Sequence, residues 1–313
     1  MAPAGATAPF AYLGTSGFAA AVLDRLAEGG LSPALVVTPP DRPRGRGRRV
    51  QPPPVAARAA ELGLPVLKTG DVSDPASRER LADAGVEFGV VCAFGQLIRR
   101  SLLSRLEFLN VHPSLLPRWR GAAPIERAIM AGDELTGVSI MHLVEELDAG
   151  PVALTEPVEI APGEDFGSLE ARLAARGGDL VVRALRMRAE GSLRFSPQDD
   201  SAATYADKVE PDERRLDLRR GAEELSRVVR ALTPHVGAFL ELDGGGRLGI
   251  VRARPAGARD GPGPGKLAAA GDELALGCGQ GTLLIARVRP PGKRDMSAAD
   301  YLRGHPVPAP VVP

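Results

Sequence analysis

Five short, almost wholly apolar runs constrain the fold most: Phe10-Ala11-Tyr12-Leu13, Ala34-Leu35-Val36-Val37, Phe88-Gly89-Val90-Val91-Cys92-Ala93, Phe108-Leu109-Asn110-Val111 and Gly137-Val138-Ser139-Ile140-Met141-His142. Each has strand length, and none shows the apolar–polar alternation of a half-solvated sheet. Helical apolar spacing fills the intervals at Phe18 to Leu26 and Val55 to Leu62, and follows the last run at Leu169 to Met187. Strands apolar on both faces, alternating with helices, predict a parallel α/β sheet covered on both sides.

A chain of 313 residues is long for one domain and natural for two. Arg194 to Val209 is polar and carries no strong periodicity, so it reads as a linker. Beyond it come one helical segment, Gly221 to Leu232, and short strand-like runs at Ala238–Leu242, Leu248–Val251 and Thr282–Ile285, with glycine-rich turns between them. That pattern predicts a small β-barrel. The expected division is 1–193, a linker 194–207, and 208–313.

Formal net charge is zero but unevenly spread. Residues 1–207 carry 22 Lys and Arg against 26 Asp and Glu, whereas residues 208–313 carry 17 against 13. The positive second half hints at an anionic partner. Two distant cysteines, Cys92 and Cys278, give no zinc spacing, and Cys92 reads as a buried core thiol. No secretory leader is recognisable and no run approaches the ~20 apolar residues of a membrane span, so the cytoplasm is the expected location and no membrane partner is expected.

The densest chemistry lies at Asn110-Val111-His112-Pro113-Ser114-Leu115-Leu116-Pro117. Two residues apart on a strand, Asn110 and His112 point to the same side. One is an amide donor and the other an imidazole that can move a proton. Asp148, in Glu145-Glu146-Leu147-Asp148-Ala149-Gly150, follows the strand ending at His142. In a parallel sheet both places fall at carboxyl ends of strands, where ligands bind. Asn, His and Asp converging there would form an acyl-transfer set, with His142 expected to be structural. Gly14-Thr15-Ser16-Gly17 lacks the third glycine of a dinucleotide fingerprint and reads as a tight βα turn.

Arg42, Arg44, Arg46, Arg48 and Arg49 crowd into eight positions between Pro39-Pro40 and Pro52-Pro53-Pro54. Such a segment cannot form a core and is expected to stay mobile. It is either a solvated linker or an arm that orders on nucleic-acid phosphates.

On these residues the chain resembles the methionyl-tRNA formyltransferases, a branch of the formyl-folate-dependent transferases. Asn110 through Pro124 and Leu147-Asp148 with Gly150 are similar to the central signature. Thr38 to Gly47 resembles the basic loop insertion of that branch, and Gly292 to Gly304 its C-terminal segment. The resemblance implies a Rossmann-like N-terminal domain and an OB-like C-terminal β-barrel. It implies 10-formyltetrahydrofolate as donor, methionyl initiator tRNA as acceptor, and no metal. Asn110, His112 and Asp148 would be catalytic, with Asp148 either orienting His112 or relaying a proton. Ser114, Leu115, Leu116 and Pro117 would line the folate site, with Phe94, Gly95, Gln96 and Leu97 at the pteridine pocket edge. The arginine loop would reach the tRNA, and a monomer is expected. Thr15-Ser16-Gly17-Phe18 and His235-Val236-Gly237 depart from the pattern of that branch. Two other readings compete: a formyltransferase for glycinamide ribonucleotide or an amino sugar nucleotide, and an RNA-binding protein on an inactive transferase scaffold.

Overall fold

Strand β1 (Phe10–Gly14) enters the interior of a seven-stranded sheet. The computed structural model describes residues 7–44, 47, 49–256 and 261–311. The other strands of this sheet are β2 (Leu35–Thr38), β5 (Val66–Lys68), β6 (Phe88–Cys92), β7 (Glu107–His112), β9 (Leu135–His142) and β10 (Val152–Glu159). Their order is β10-β9-β7-β6-β1-β2-β5. All pairings from β7 to β5 are parallel, as the apolar runs predict. Strand β9 is the exception in direction: it runs antiparallel to both β7 and β10, so the strand ending at His142 is not a parallel one. An apolar run reports burial on both faces and carries no information on direction.

Helices α1 (Gly17–Glu28), α2 (Pro54–Glu61), α3 (Pro75–Asp83), α4 (Arg100–Leu103) and α6 (Phe166–Ala189) accompany these strands. The Ser16 side chain caps α1 by accepting from the Ala19 amide, so Thr15-Ser16-Gly17 is a capped βα turn. Strand parity divides the core. Ala11, Leu13, Leu35, Val37, Val91 and Phe108 pack with Leu81 of α3 and Leu102 of α4. On the opposite face α6 approaches closely at Gly177 and Gly178, where an added Cβ would lie 3.0 Å from Val111 and collide with the Arg25 side chain. Phe108 is fully buried, and its ring fills the space a side chain at Gly89 would need. Phe108→Ala is expected to cost about 3–5 kcal/mol, read as a lower urea midpoint for the first unit.

The arginine-rich segment also departs from expectation. Its described flanks, β3 (Arg42–Arg44) and β4 (Arg49–Gln51), form an antiparallel hairpin pairing Arg42 with Gln51 and Arg44 with Arg49. Backbone ladders need no buried side chains, and Arg42 and Arg49 are exposed. Arg46 and Arg48 lie outside the described residues.

The described chain divides into two compact units. The first takes in segments up to Gly121, Leu135–Glu159 and Glu170–Tyr205, including the short β8 (Arg120–Gly121). The second draws on Ala122–Glu134, Ile160–Leu169 and everything from Ala206. Helix α5 (Pro124–Ala131) belongs to this second unit because Arg127 donates to both carboxylate oxygens of Glu213 and to the Asp207 and Lys208 carbonyls. After β11 (Tyr205–Ala206) come α7 (Ala222–Leu232), β12 (Ala238–Leu242), β13 (Gly246–Ala256), β14 (Leu267–Ala270), β15 (Glu273–Gly277), β16 (Thr282–Arg289), β17 (Met296–Ser297) and α8 (Ala298–Gly304). The strands form an antiparallel sheet of order β12-β13-β16-β15-β14, with β17 on β16. Leu225, Val229 and Leu232 of α7 pack with Leu248, Ile250, Leu276 and Ile285 in one core. Among the described residues no ladder joins β12 to β14.

Candidate active site

On β7, Phe108, Asn110 and His112 share one face of the sheet by strand parity. Phe108 closes the apolar core, and the next two positions on that face turn polar. Asn110 is 8% exposed and His112 4%, so neither is a solvated strand end. Opposite them on β9 stand Met141 and Ser139.

Asp148 reaches this face from the β9–β10 connection, which turns back over the sheet. It is 9% exposed and has a left-handed backbone, φ 47°. The Asn110 amide nitrogen donates to its Oδ1 at 3.4 Å, and the Gly121 backbone N–H donates to its Oδ2 at 2.9 Å. His112 Nδ1 lies 3.7 Å from that same Oδ2. The three residues expected to converge are therefore brought together, but through an antiparallel hairpin rather than two parallel strand ends.

The imidazole has a fixed tautomer. His112 Nε2 is 2.9 Å from the Trp119 carbonyl, which can only accept, so Nε2 carries a hydrogen. In neutral His112 the basic lone pair is then on Nδ1, the nitrogen facing Asp148. At 3.7 Å this contact is longer than a committed hydrogen bond, leaving Nδ1 available to a reacting group. Trp119 also has a left-handed backbone, φ 63°.

The expected folate segments flank this centre in different ways. Ser114 is buried and donates its hydroxyl to the Arg118 carbonyl. Ser139 Oγ donates to the Ser114 carbonyl and accepts from the Leu116 amide, pinning the turn to β9. Leu115 covers Gly137, and the Pro117 carbonyl accepts from Thr204 N. Phe94 is in the core, and its carbonyl accepts from the Thr15 hydroxyl. Gln96 turns inward, donating to the Thr69 carbonyl and accepting from the Val72 amide. Gly95 is left-handed, φ 74°, with open space around its Cα, and Leu97 is 76% exposed.

Thiol chemistry has no support here. Burial pushes the Cys92 thiol up to about 12 and the Cys278 thiol to about 11, leaving both protonated at neutral pH. Among the described residues no group of three His, Cys, Asp or Glu side chains is placed to hold a metal ion. None of the described helices is long and apolar enough to cross a membrane. His142 packs edge-on against Phe195.

A formyl transferase family model matches residues 9–185, and a formyl transferase C-terminal domain model matches 208–306. The chain belongs to the formyl transferase family. A methionyl-tRNA formyltransferase of Parvibaculum lavamentivorans is 44% identical over 299 residues, covering 94% of this chain and 96% of that protein. One from Halorhodospira halophila is 44% identical over 296 residues, covering 94% and 95%. Among solved structures, HypX from Aquifex aeolicus in complex with tetrahydrofolic acid has a TM-score of 0.65 at 18% identity over 95% of this chain. The chain spans about half of HypX, 47% of its length. An N-formyltransferase of Helicobacter canadensis gives a TM-score of 0.67 at 12% identity, covering 90% of this chain and 100% of that one. These two likenesses concern the fold.

Several residues of this formyl transferase site escape sequence reasoning. The Gly121 amide and the Trp119 carbonyl act through backbone atoms, which side-chain patterns do not announce. Ser139 sits within an apolar run and reads there as a strand residue.

Proposed function

We propose that this formyl transferase moves the formyl group of 10-formyltetrahydrofolate to the α-amino group of methionyl initiator tRNA. The observation carrying the chemistry is the buried convergence of Asn110, His112 and Asp148 on one sheet face. The acceptor rests on relatives 44% identical over nearly their whole length that are named for methionyl-tRNA.

The amine attacks the formyl carbon, forming a new C–N bond and placing negative charge on the formyl oxygen. Asn110 spends one amide hydrogen on Asp148 and keeps the second for that oxygen. His112 Nδ1, its lone pair left free by the Trp119 contact at Nε2, is placed to accept a proton and hand it to the departing folate nitrogen. Asp148 holds the imidazole, takes up the amine proton and passes it through His112 Nδ1 to the folate nitrogen as the C–N bond to the folate breaks. The proton lost by the amine thus replaces the formyl group on the folate. The exposed Leu97 edge and the Ser114–Pro117 turn are assigned to the folate. Arg42, Arg44, Arg46, Arg48 and Arg49 are assigned to the tRNA, with residues 208–313 as its second contact. A cytoplasmic monomer is the working assembly.

The test presents the protein with 10-formyltetrahydrofolate and, separately, methionyl-tRNA, glycinamide ribonucleotide and an amino sugar nucleotide. Formyl transfer is expected to methionyl-tRNA alone. The doubly substituted Arg42→Ala, Arg49→Ala protein should show a raised KM for tRNA and a slope of log KM against log salt smaller by about 1–2. Formylation of either small amine at a comparable rate would overturn the acceptor.

A further inference from the structure

The polar segment after α6 reads as a linker, yet in the first unit it is bonded to both strained loops of the active site. We infer that Gln198 is a positioning residue for Asp148, the keystone of a strap formed by residues 196–204. This inference rests on the assignment of Asp148 above.

The Gln198 amide uses its full hydrogen-bonding capacity. Its nitrogen donates to the Asp148 carbonyl at 2.8 Å and to the Gly150 carbonyl at 2.7 Å. Its oxygen accepts from Arg120 Nε at 3.1 Å and Nη2 at 2.9 Å. Carbonyls only accept and a guanidinium only donates, so this environment permits one orientation of the amide. Arg120 is itself 4% exposed, and its Nη2 also donates to Asp200 at 2.7 Å.

The strap is anchored on both sides of Gln198. Ser196 and Val152 exchange backbone hydrogen bonds at 2.9 Å at the start of β10. Farther along, Thr204 Oγ1 accepts from the Trp119 amide at 2.9 Å, and the Thr204 carbonyl accepts from Arg120 N at 2.9 Å. Trp119 and Asp148 are two of the three non-glycine residues with positive φ among those described. Such conformations persist only where neighbours over-determine them. Thr204 holds the residue whose carbonyl fixes the His112 tautomer. Gln198 holds the residue whose carboxylate faces His112. One segment therefore sets both partners of the imidazole.

A glutamine is required here rather than a glutamate. The substitution Gln198→Glu would keep an oxygen facing Arg120 and add an ion pair, but would turn a carboxylate oxygen onto two carbonyl oxygens. A segment serving only to tether the chain would tolerate that exchange, whereas a segment placing Asp148 would not.

The test is a kinetic cycle of wild type, Gln198→Glu, Asp148→Asn and the double variant, with 10-formyltetrahydrofolate and methionyl-tRNA. Gln198→Glu should lower kcat about 10- to 100-fold with both KM values within about threefold. In the Asp148→Asn background the same change should cost less than about twofold, because the group it positions is already lost. Equal losses in both backgrounds, or an unchanged kcat for Gln198→Glu, would overturn the strap and leave the assignment of Asp148 standing. Normal turnover by Asp148→Asn alone would overturn both. If Gln198→Glu does not fold, Gln198→Ala, which leaves room for water at the two carbonyls, takes its place with the same expectations.

Discussion

His112→Ala and Asp148→Asn are each expected to lower kcat by about 100- to 1,000-fold while 10-formyltetrahydrofolate binding changes less than about threefold. The asymmetry follows from where the two side chains lie. Both are nearly buried, whereas Leu97, assigned above to the folate, is exposed. His112→Ala removes the imidazole whose Nδ1 is left available by the Trp119 contact. Asp148→Asn keeps the shape but replaces one carboxylate oxygen with an NH2 group. Facing the Gly121 N–H that group would meet a donor and lose a hydrogen bond, and facing Asn110 it would require that amide to turn its oxygen toward the loop. Single-turnover formyl transfer with saturating folate, beside folate binding by fluorescence, separates the two effects. Near-normal turnover in either variant would remove that residue from the chemistry.

What is legible in the chain depends on the physical scale of each signal. Asn110 and His112 can be placed on one face because strand periodicity is local, and the structure keeps that parity. Their meeting with Asp148 is also expected, but in the wrong geometry. Strand direction is settled by tertiary pairing, so nothing in Gly137 to His142 reveals that β9 runs against β7. The β3–β4 hairpin is hidden because its ladder uses backbone atoms while proline and arginine composition argues for an irregular loop. Strand β13 runs Gly246–Ala256, far beyond the expected Leu248–Val251. Its register shifts between Ile250 and Ala253, and that irregularity interrupts the alternation by which a strand is recognised. Gln198 and Thr204 are illegible for another reason. Their partners are backbone groups at Asp148, Gly150 and Trp119 and the Arg120 guanidinium, 48 to 85 positions away. An aperiodic polar segment looks the same whether it is solvated or hydrogen-bonded throughout.

Gly150→Ala should be nearly as damaging as loss of Asp148, although the new methyl group carries no chemistry. A Cβ at position 150 would collide with the His142 carbonyl oxygen and lie 3.0 Å from its carbon. Both belong to backbone at the end of β9, so no flexible side chain can swing aside. Strand β9 is held on its two sides by β7 and β10, which leaves the 143–151 connection as the part that yields. Asp148 lies two residues from the obstruction, and the Gly150 carbonyl is one of the two that Gln198 grips. Displacement of that carbonyl loosens the strap and moves the carboxylate that faces His112. A misplacement of about 1 Å is enough to cost roughly 100-fold in rate. The stability cost should be smaller, about 1–3 kcal/mol, because the obstruction is local and the sheet core below it is untouched. Thermal melting and kcat should therefore separate: a protein folded at about 25 °C, with a modestly lowered midpoint and turnover down about 100-fold. A folded variant with wild-type turnover would show that the connection accommodates the methyl group without moving Asp148, and would refute the account of Gly150 as the residue that seats the loop.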